Sequence, residues 1–328
     1  MRAPGFWAGG GGIAPILLSP LAAAYQAVTA RRMARPGWQA PVPVICCGNA
    51  TAGGAGKTTV ALDLGQRLIR RGIGTHFLIR GYGGRVKGPA RVDPARHDST
   101  AVGDEALLLA ALAPSWVGAD RAASARSAIA AGAQALVLDD GLQNPTLAKD
   151  LSLLVVDGGY GFGNGRVIPA GPLREPVAAA AARCQAAVLV GEDETQVLAQ
   201  LPPGLPVLRA NLVPGPEAAA LAGQPVFAFC GIASPRKFFG TLTQAGAMIA
   251  GRATFADHYP YDEAEIRELL AEAERLRATP VTTKKDAVRI PPDVRARITV
   301  VTVALAWADQ AEIEALLDPI AARVPQAT

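Results

Sequence analysis

The sequence predicts an α/β fold: a parallel-sheet core built round a phosphate-binding loop, an interfacial helix before it, and a second, smaller α/β domain after it. Three observations carry that prediction. Short apolar runs alternate with helical stretches through residues 43–190. A glycine-rich turn ending in Lys57, Thr58 and Thr59 joins the first apolar run to the first helix. A proline-rich stretch at residues 201–216 then separates this pattern from a shorter one of the same kind.

The N-terminal segment comes first. Residues 13–28 are apolar but hold Pro15 and Pro20, and Arg31 and Arg32 follow at once. A spanning helix needs roughly 20 uninterrupted apolar residues. A cleaved leader, a core helix and an interfacial helix therefore compete here, and the interfacial helix suits the segment best, with Phe6, Trp7 and Tyr25 as anchors. No acidic residue precedes Asp63, whereas Arg2, Arg31, Arg32 and Arg35 all fall in the opening segment. Such a basic, apolar stretch fits an anionic lipid surface better than a nucleic acid, and no basic patch interleaved with aromatics argues for the latter.

Residues 43–47 read as a buried strand, residues 58–71 as a helix with Val60, Leu64, Leu68 and Ile69 on one face, and residues 75–79 as a second strand. Residues 81–100, rich in Gly, Pro and Arg, read as a long functional loop. Helices are expected at 104–112 and 121–131. The apolar runs 135–138, 151–156 and 186–190 read as strands covered on both faces. Beyond the proline-rich boundary, strands at 226–229, 281–283 and 298–303 and helices at 235–244 and 262–277 make up the smaller unit. The expected divisions are residues 1–40, 41–205 and 206–328.

At 328 residues the chain can pack two domains, and a half-hydrophobic composition with 18% charged residues excludes disorder. Its formal net charge of +4 decides little. Cys46, Cys47, Cys184 and Cys230 show no metal-ligand spacing and read as reduced core thiols of a cytosolic protein.

The sharpest signal is Gly48-Asn49-Ala50-Thr51-Ala52-Gly53-Gly54-Ala55-Gly56-Lys57-Thr58-Thr59. A triphosphate needs converging backbone N–H donors and a helix N-terminus, and glycine allows the close approach. Lys57 would reach the outer phosphates of ATP, and the Thr58 hydroxyl would sit on Mg²⁺. Thr51 stands where the strict motif has glycine, so the match is to its GGxGKT half. Asp139 and Asp140, ending a buried apolar run, supply the acidic partner for the metal. These features together describe the core of a P-loop NTPase.

The motifs GNxTxGGxGKT, RGYGG (80–84), VGDE (102–105), DDGLQ (139–143) and GNG…PAGPLRE (163–175) occur in that order. With Gly5-Phe6-Trp7, Phe255-x-Asp257-His258 and TTKKDAVR (282–289), the chain resembles the tetraacyldisaccharide 4′-kinase family of lipid A synthesis over nearly its whole length. The resemblance implies transfer of the ATP γ-phosphate to the 4′-hydroxyl of a lipid A disaccharide 1-phosphate. It also implies Mg²⁺ and a monotopic N-terminal helix at the cytoplasmic face of the inner membrane; it does not imply an obligate protein partner. A smaller C-terminal domain would be joined by a two-stranded linker, with the last strand and helix, after about Ile298, returning to the core.

Phosphoryl transfer to an alcohol needs positioning, charge neutralisation and a late proton acceptor. Asp104 is the candidate base, with a helix N-cap as its structural alternative. His258 is the candidate that tunes it if the second domain closes over the first. Arg80, Arg121 and Arg174 are candidates for phosphates of ATP or acceptor, Arg121 alternatively pairing with Asp120. Gln143, Asn144 and Glu175 complete the expected substrate and metal contacts. Asn144 stands where the family usually has His, and it cannot carry a proton at neutral pH. Asp286 is expected only to cap a helix. The rival classes are a soluble P-loop ATPase of the partition or biosynthetic-ligase type, which commonly adds a Lys where this chain has Ala52, and a nucleotide-dependent switch.

Overall fold

Apolar runs buried on both faces form the centre of the larger sheet in the computed structural model, which describes residues 4–9 and 12–324. Arg2 lies outside those residues. The chain opens with a turn at Gly5–Trp7, then helices α1 (Ile13–Leu17) and α2 (Ser19–Met33). Next come β1 (Val44–Gly48), α3 (Lys57–Arg70), β2 (Thr75–Ile79), β3 (Ala90–Arg91), α4 (Ser99–Val102), α5 (Asp104–Ala110), β4 (Ser115–Val117) and α6 (Arg121–Ala130). The core continues through β5 (Ala135–Asp139), β6 (Leu151–Asp157), α7 (Val177–Ala181), β7 (Ala186–Val190) and β8 (Val207–Pro214).

The smaller unit follows with α8 (Pro216–Ala219), β9 (Pro225–Cys230), α9 (Pro235–Gln244), β10 (Met248–Thr254) and α10 (Glu263–Arg275). It is completed by β11 (Thr279–Thr283), α11 (Lys284–Ala287), α12 (Pro292–Arg295) and β12 (Thr299–Val301). The chain then runs through β13 (Val303–Trp307) and α13 (Gln310–Ala321).

Among the described residues the large sheet has the order β13-β8-β7-β6-β1-β5-β2-β4-β3. All pairings from β8 to β4 are parallel, and β13 and β3 add antiparallel edges. β1 lies between β5 and β6, so the loop after it opens at the middle of the carboxyl edge, where open α/β sheets bind ligands. The second sheet, β10-β9-β11-β12, is wholly parallel. β8 extends the large sheet past residue 205, and only Thr302 separates β12 in one sheet from β13 in the other. β8 and β13 thus form the antiparallel pair through which the chain leaves the large sheet and re-enters it.

One face of the large sheet is covered by α3, α5 and α13, with Val60, Leu64, Leu68, Trp307, Ile313 and Leu317 in one core. Burying each Leu side chain there contributes about 1.5–3 kcal/mol. Ion pairs rim that contact: Arg67 binds Asp63 at 2.7 Å, Arg71 reaches Asp318 at 2.9 Å, and both arginines hold Glu314. The indole of Trp307 donates to Asp63 at 2.8 Å. The four thiols are free and buried, and burial pushes Cys46 up to about 11 and Cys184 and Cys230 up to about 12.

α1 and α2 leave Ile13, Ile16, Leu17, Leu21 and Val28 exposed, Leu17 by 72%. Among the described residues no helix is long and apolar enough to cross a membrane. Phe6 and Trp7, expected as lipid anchors, are half-buried, and the Trp7 indole donates to Pro169 O at 3.1 Å. That donor is committed to the fold, because a half-buried indole N–H needs a partner.

Candidate active site

The loop after β1 turns through Gly53 (φ +140°) and Gly56 (φ +83°), backbone that side-chain-bearing residues rarely adopt. Gly56 is the N-cap of α3, so the first helical N–H groups face the loop. Lys57 Nζ is folded inward: it donates to Asn49 Oδ1 at 3.1 Å and Gly53 O at 3.3 Å and lies 3.5 Å from Asp140. Asn49 Nδ2 in turn donates to Thr51 Oγ1 at 3.0 Å and Gly53 O at 3.2 Å. Thr51 therefore takes the place of a glycine by bracing the loop from inside. Ala55 is buried, Thr59 is half-buried on α3, and a Cβ at Gly54 would lie 3.8 Å from Ala233 of the smaller unit.

Thr58 Oγ1 donates to Asp139 Oδ2 at 2.7 Å, while the buried Asp139 Oδ1 has no partner. Burial, with the nearby charge of Glu105 second, pushes the Asp139 carboxyl up to about 7. A buried carboxylate with one unused oxygen beside a threonine hydroxyl fits a cation. Among the described residues no cage of three or more His, Cys, Asp or Glu side chains forms, so phosphate oxygens and water would complete the shell. Asp140 differs in its surroundings. Burial opposes its charge, yet Lys57 and Arg174, the latter at 2.6 Å, hold its carboxyl down at about 2. Its oxygens serve two cations, and its left-handed backbone (φ +55°) turns the chain out of β5.

Arg174 also reaches Gln143 Oε1 at 3.3 Å, and Gln143 Nε2 donates to Asn49 O at 2.9 Å and Glu175 Oε1 at 2.8 Å. Glu175, 3% exposed, is held by Arg183 at 2.6 Å. Gln143 and Arg174 thus meet the phosphate loop, and Glu175 stands behind Gln143. Asn144 is spent on structure, donating to Ala119 O in the loop before α6 at 3.2 Å and accepting from Thr146 N in its own turn at 3.0 Å. Arg121 is buried at the start of α6, donates to Gly118 O and leaves Nε without a partner; burial lowers it to about 10. It does not pair with Asp120, whose carboxylate caps Ala122 N and Ala123 N. Arg80 is exposed in its loop.

Asp104 occupies the first turn of α5 after Gly103, which is the N-cap (φ +85°), so the capping alternative does not apply to it. His258 Nδ1 lies 3.0 Å from each of its oxygens, across from the other unit. With its proton on Nδ1, the neutral ring accepts at Nε2 from Lys285 Nζ at 3.3 Å. Burial works against the Asp104 charge, but the His258 hydrogen bond and the charges of Lys285 and Arg289 hold it below its ordinary value. The same hydrogen bond raises His258, against burial and Lys285. His258 has φ +59°, a conformation its surroundings must enforce.

Those surroundings hold residues the sequence reasoning missed. Asp286 does not cap a helix, since Thr283 is the N-cap of α11; it is fully buried and accepts from Gly231 N at 2.7 Å, Tyr261 Oη at 2.8 Å, Arg289 Nη2 at 2.8 Å and Thr283 Oγ1. Arg289 spreads its remaining donors over Tyr259 O at 2.9 Å and Gly231 O at 3.0 Å, with Nε 3.7 Å from Asp104. Lys285 pairs with Glu105 at 3.4 Å and Asp257 at 3.5 Å. On the other flank Lys237 of α9 binds Asp157, at the end of β6, at 2.6 Å. Lys285, Arg289 and Asp286 lay in the quoted TTKKDAVR motif, but spacing alone could not show what they face.

The sequence matches the family described as LpxK, Tetraacyldisaccharide-1-P 4′-kinase, over residues 14–322. It is 59% identical to a tetraacyldisaccharide 4′-kinase of Gluconacetobacter diazotrophicus, covering 97% of this chain and 98% of the relative. Identity to the protein of the same name in Rhodospirillum rubrum is 56%, over 97% of each chain. The fold matches a solved LpxK of Aquifex aeolicus, an "apo" form in complex with ATP, with a TM-score of 0.74, 23% identity, and 93% and 99% of the two chains covered. The family model covers most of the chain and the relatives match it end to end: this chain belongs to the tetraacyldisaccharide-1-phosphate 4′-kinase family.

Proposed function

We propose that this chain transfers the γ-phosphate of ATP to the 4′-hydroxyl of a tetraacyldisaccharide 1-phosphate, the step that forms lipid IVA in lipid A biosynthesis. The observation that carries the reading is the contact of Asp104 with His258 across the two units, beside a loop built for a triphosphate. Lys57 leaves its folded-in partners for the outer phosphates, and Arg174, already beside Asp140, faces the same charge. Thr58 and Asp139 would hold Mg²⁺, which when bound neutralises charge on the phosphates. Asp104 takes the hydroxyl proton as the new O–P bond forms and the β,γ-bridging bond breaks, releasing ADP. His258 Nδ1 hydrogen-bonds Asp104 Oδ1; the buried Oδ2, which it also approaches at 3.0 Å, has no hydrogen bond to satisfy it and is the oxygen that would take that proton. His258 keeps the carboxylate oriented and ionised.

The acceptor carries acyl chains, and the exposed apolar side chains of α1 and α2, with Arg31 and Arg32 closing α2, support docking on the cytoplasmic face of the inner membrane. A cavity of about 410 Å³ of mixed polar and apolar lining lies between α2 and residues 165–177, with Ser19, Gln26 and Arg166 beside Ala22, Val167 and Leu173. The test is transfer of labelled γ-phosphate to a tetraacyl disaccharide 1-phosphate in mixed micelles, for wild type and Lys57→Ala. Transfer lost with Lys57 is expected. Folded wild type that binds ATP yet gives no transfer would overturn the acceptor assignment. For the membrane, Leu17→Glu should reduce co-sedimentation with anionic vesicles; equal sedimentation would count against docking through α1 and α2.

A further inference from the structure

Residues 163–175 form a strap whose two ends touch very different parts of the molecule. At one end Asn164 N donates to Trp7 O at 2.9 Å, Asn164 Nδ2 donates to Phe6 O at 3.0 Å, and Trp7 Nε1 donates to Pro169 O at 3.1 Å. The close fit needs the glycine before Asn164, since a Cβ at Gly163 would lie 2.2 Å from Trp7 O. At the other end Leu173 bridges Thr51 in antiparallel fashion. Ala52 N donates to Pro172 O, and Arg174 N to Ala50 O, each at 2.7 Å. The phosphate loop therefore has the strap as its only strand-like neighbour outside β1 among the described residues.

The two ends are tied together internally. Asn164 Nδ2 also donates to Ala170 O at 2.9 Å, and its Oδ1 accepts from Arg166 N at 3.1 Å, so one side chain closes the strap on itself. Leu173 N donates to Arg166 O at 3.0 Å and Ile168 N to Leu173 O at 2.8 Å. A Cβ at Gly171 would fall 2.0 Å from Asn164 Oδ1, so the amide fills the turn completely. All of these contacts bear on where Ala50–Ala52 and Arg174 stand.

We propose that Asn164 is a positioning residue for nucleotide binding: through the strap it fixes the phosphate loop and Arg174 against the N-terminal turn. The inference rests on the assignment of residues 48–59 to the nucleotide. The measurement is the dissociation constant of a non-hydrolysable ATP analogue, read beside the melting temperature, for wild type, Asn164→Ala and Trp7→Phe. Losing an amide with three hydrogen bonds should weaken the analogue by about tenfold in folded Asn164→Ala protein. Trp7→Phe keeps an aromatic side chain but loses the indole N–H donor and part of the ring system, and should weaken it by about threefold. Where Asn164→Ala does not fold, Trp7→Phe decides. A folded variant that melts lower yet binds as tightly as wild type shows a merely structural role and overturns the proposal. Wild type that binds no nucleotide would instead overturn the assignment of the phosphate loop.

Discussion

Asp104 and His258 illustrate how two side chains 154 residues apart become one titrating unit. Buried carboxylates ordinarily resist ionisation, but the His258 hydrogen bond and the nearby charges of Lys285 and Arg289 hold this one ionised. Asp104→Ala should lower kcat by about 10²–10⁴-fold while the KM for ATP stays near its wild-type value. An unchanged kcat, measured in the micelle assay, would remove Asp104 from the reaction. His258 supplies a pH signature. Its folded value is raised by the Asp104 hydrogen bond, so its stabilising contribution is complete below the unfolded value of about 6.5 and is lost as pH rises through the folded one. The stability gap between wild type and His258→Gln, followed by urea denaturation, should therefore be largest in mild acid and shrink above neutrality. A gap that grows with pH would contradict the contact. Both residues stood out in the sequence because short motifs carried them. Lys285, Arg289 and Glu105 lay in quoted motifs as well, but no role was legible for them, since a partner brought across a domain boundary leaves no mark in local spacing.

Elements differ in how openly they announce themselves. β1, β5, β6 and β7 are buried at every position, and four continuous apolar runs gave them away. β10 alternates between exposed and half-buried and breaks register at Gly251, so its mixed composition hid it. β8 sits in a proline-rich stretch that read as a boundary, and β3 is two residues inside a long loop. The run read as one strand at 298–303 is split, because Thr302 turns the chain from one sheet into the other. The Thr283–Asp286 turn was visible only as a helix cap. Its buried carboxylate actually gathers the β9 loop, Tyr261 and Arg289, the framework that holds His258 in its left-handed backbone. Asp286→Ala would strand the Arg289 charge and should cost about 3–5 kcal/mol. Chemical denaturation of the folded variant measures this, and a loss under about 1 kcal/mol would show that the hub is dispensable.

At the scale of the whole molecule, two sheets meet along a seam of ion pairs. Lys237 with Asp157 marks one flank, and His258, Lys285 and Arg289 with Asp104 and Glu105 mark the other. Exposed charge pairs lose strength with salt, whereas Arg289 and Asp104 are each almost fully buried. The seam should therefore loosen first at the Lys237 flank as ionic strength rises.

β13 and α13 follow every other described element in the chain, yet Trp307, Ile313 and Leu317 pack under the very helix that begins at Lys57. This gives the protein a schedule. Synthesis proceeds at about 5–20 residues per second, so the motif at residues 48–59 leaves the ribosome long before its supporting helix exists. A nascent chain stalled with residue 298 just outside the exit tunnel should fail to retain an ATP analogue, and release of the remaining residues should restore binding. Tight binding by the stalled chain would mean that the phosphate loop matures without its latest-made neighbour.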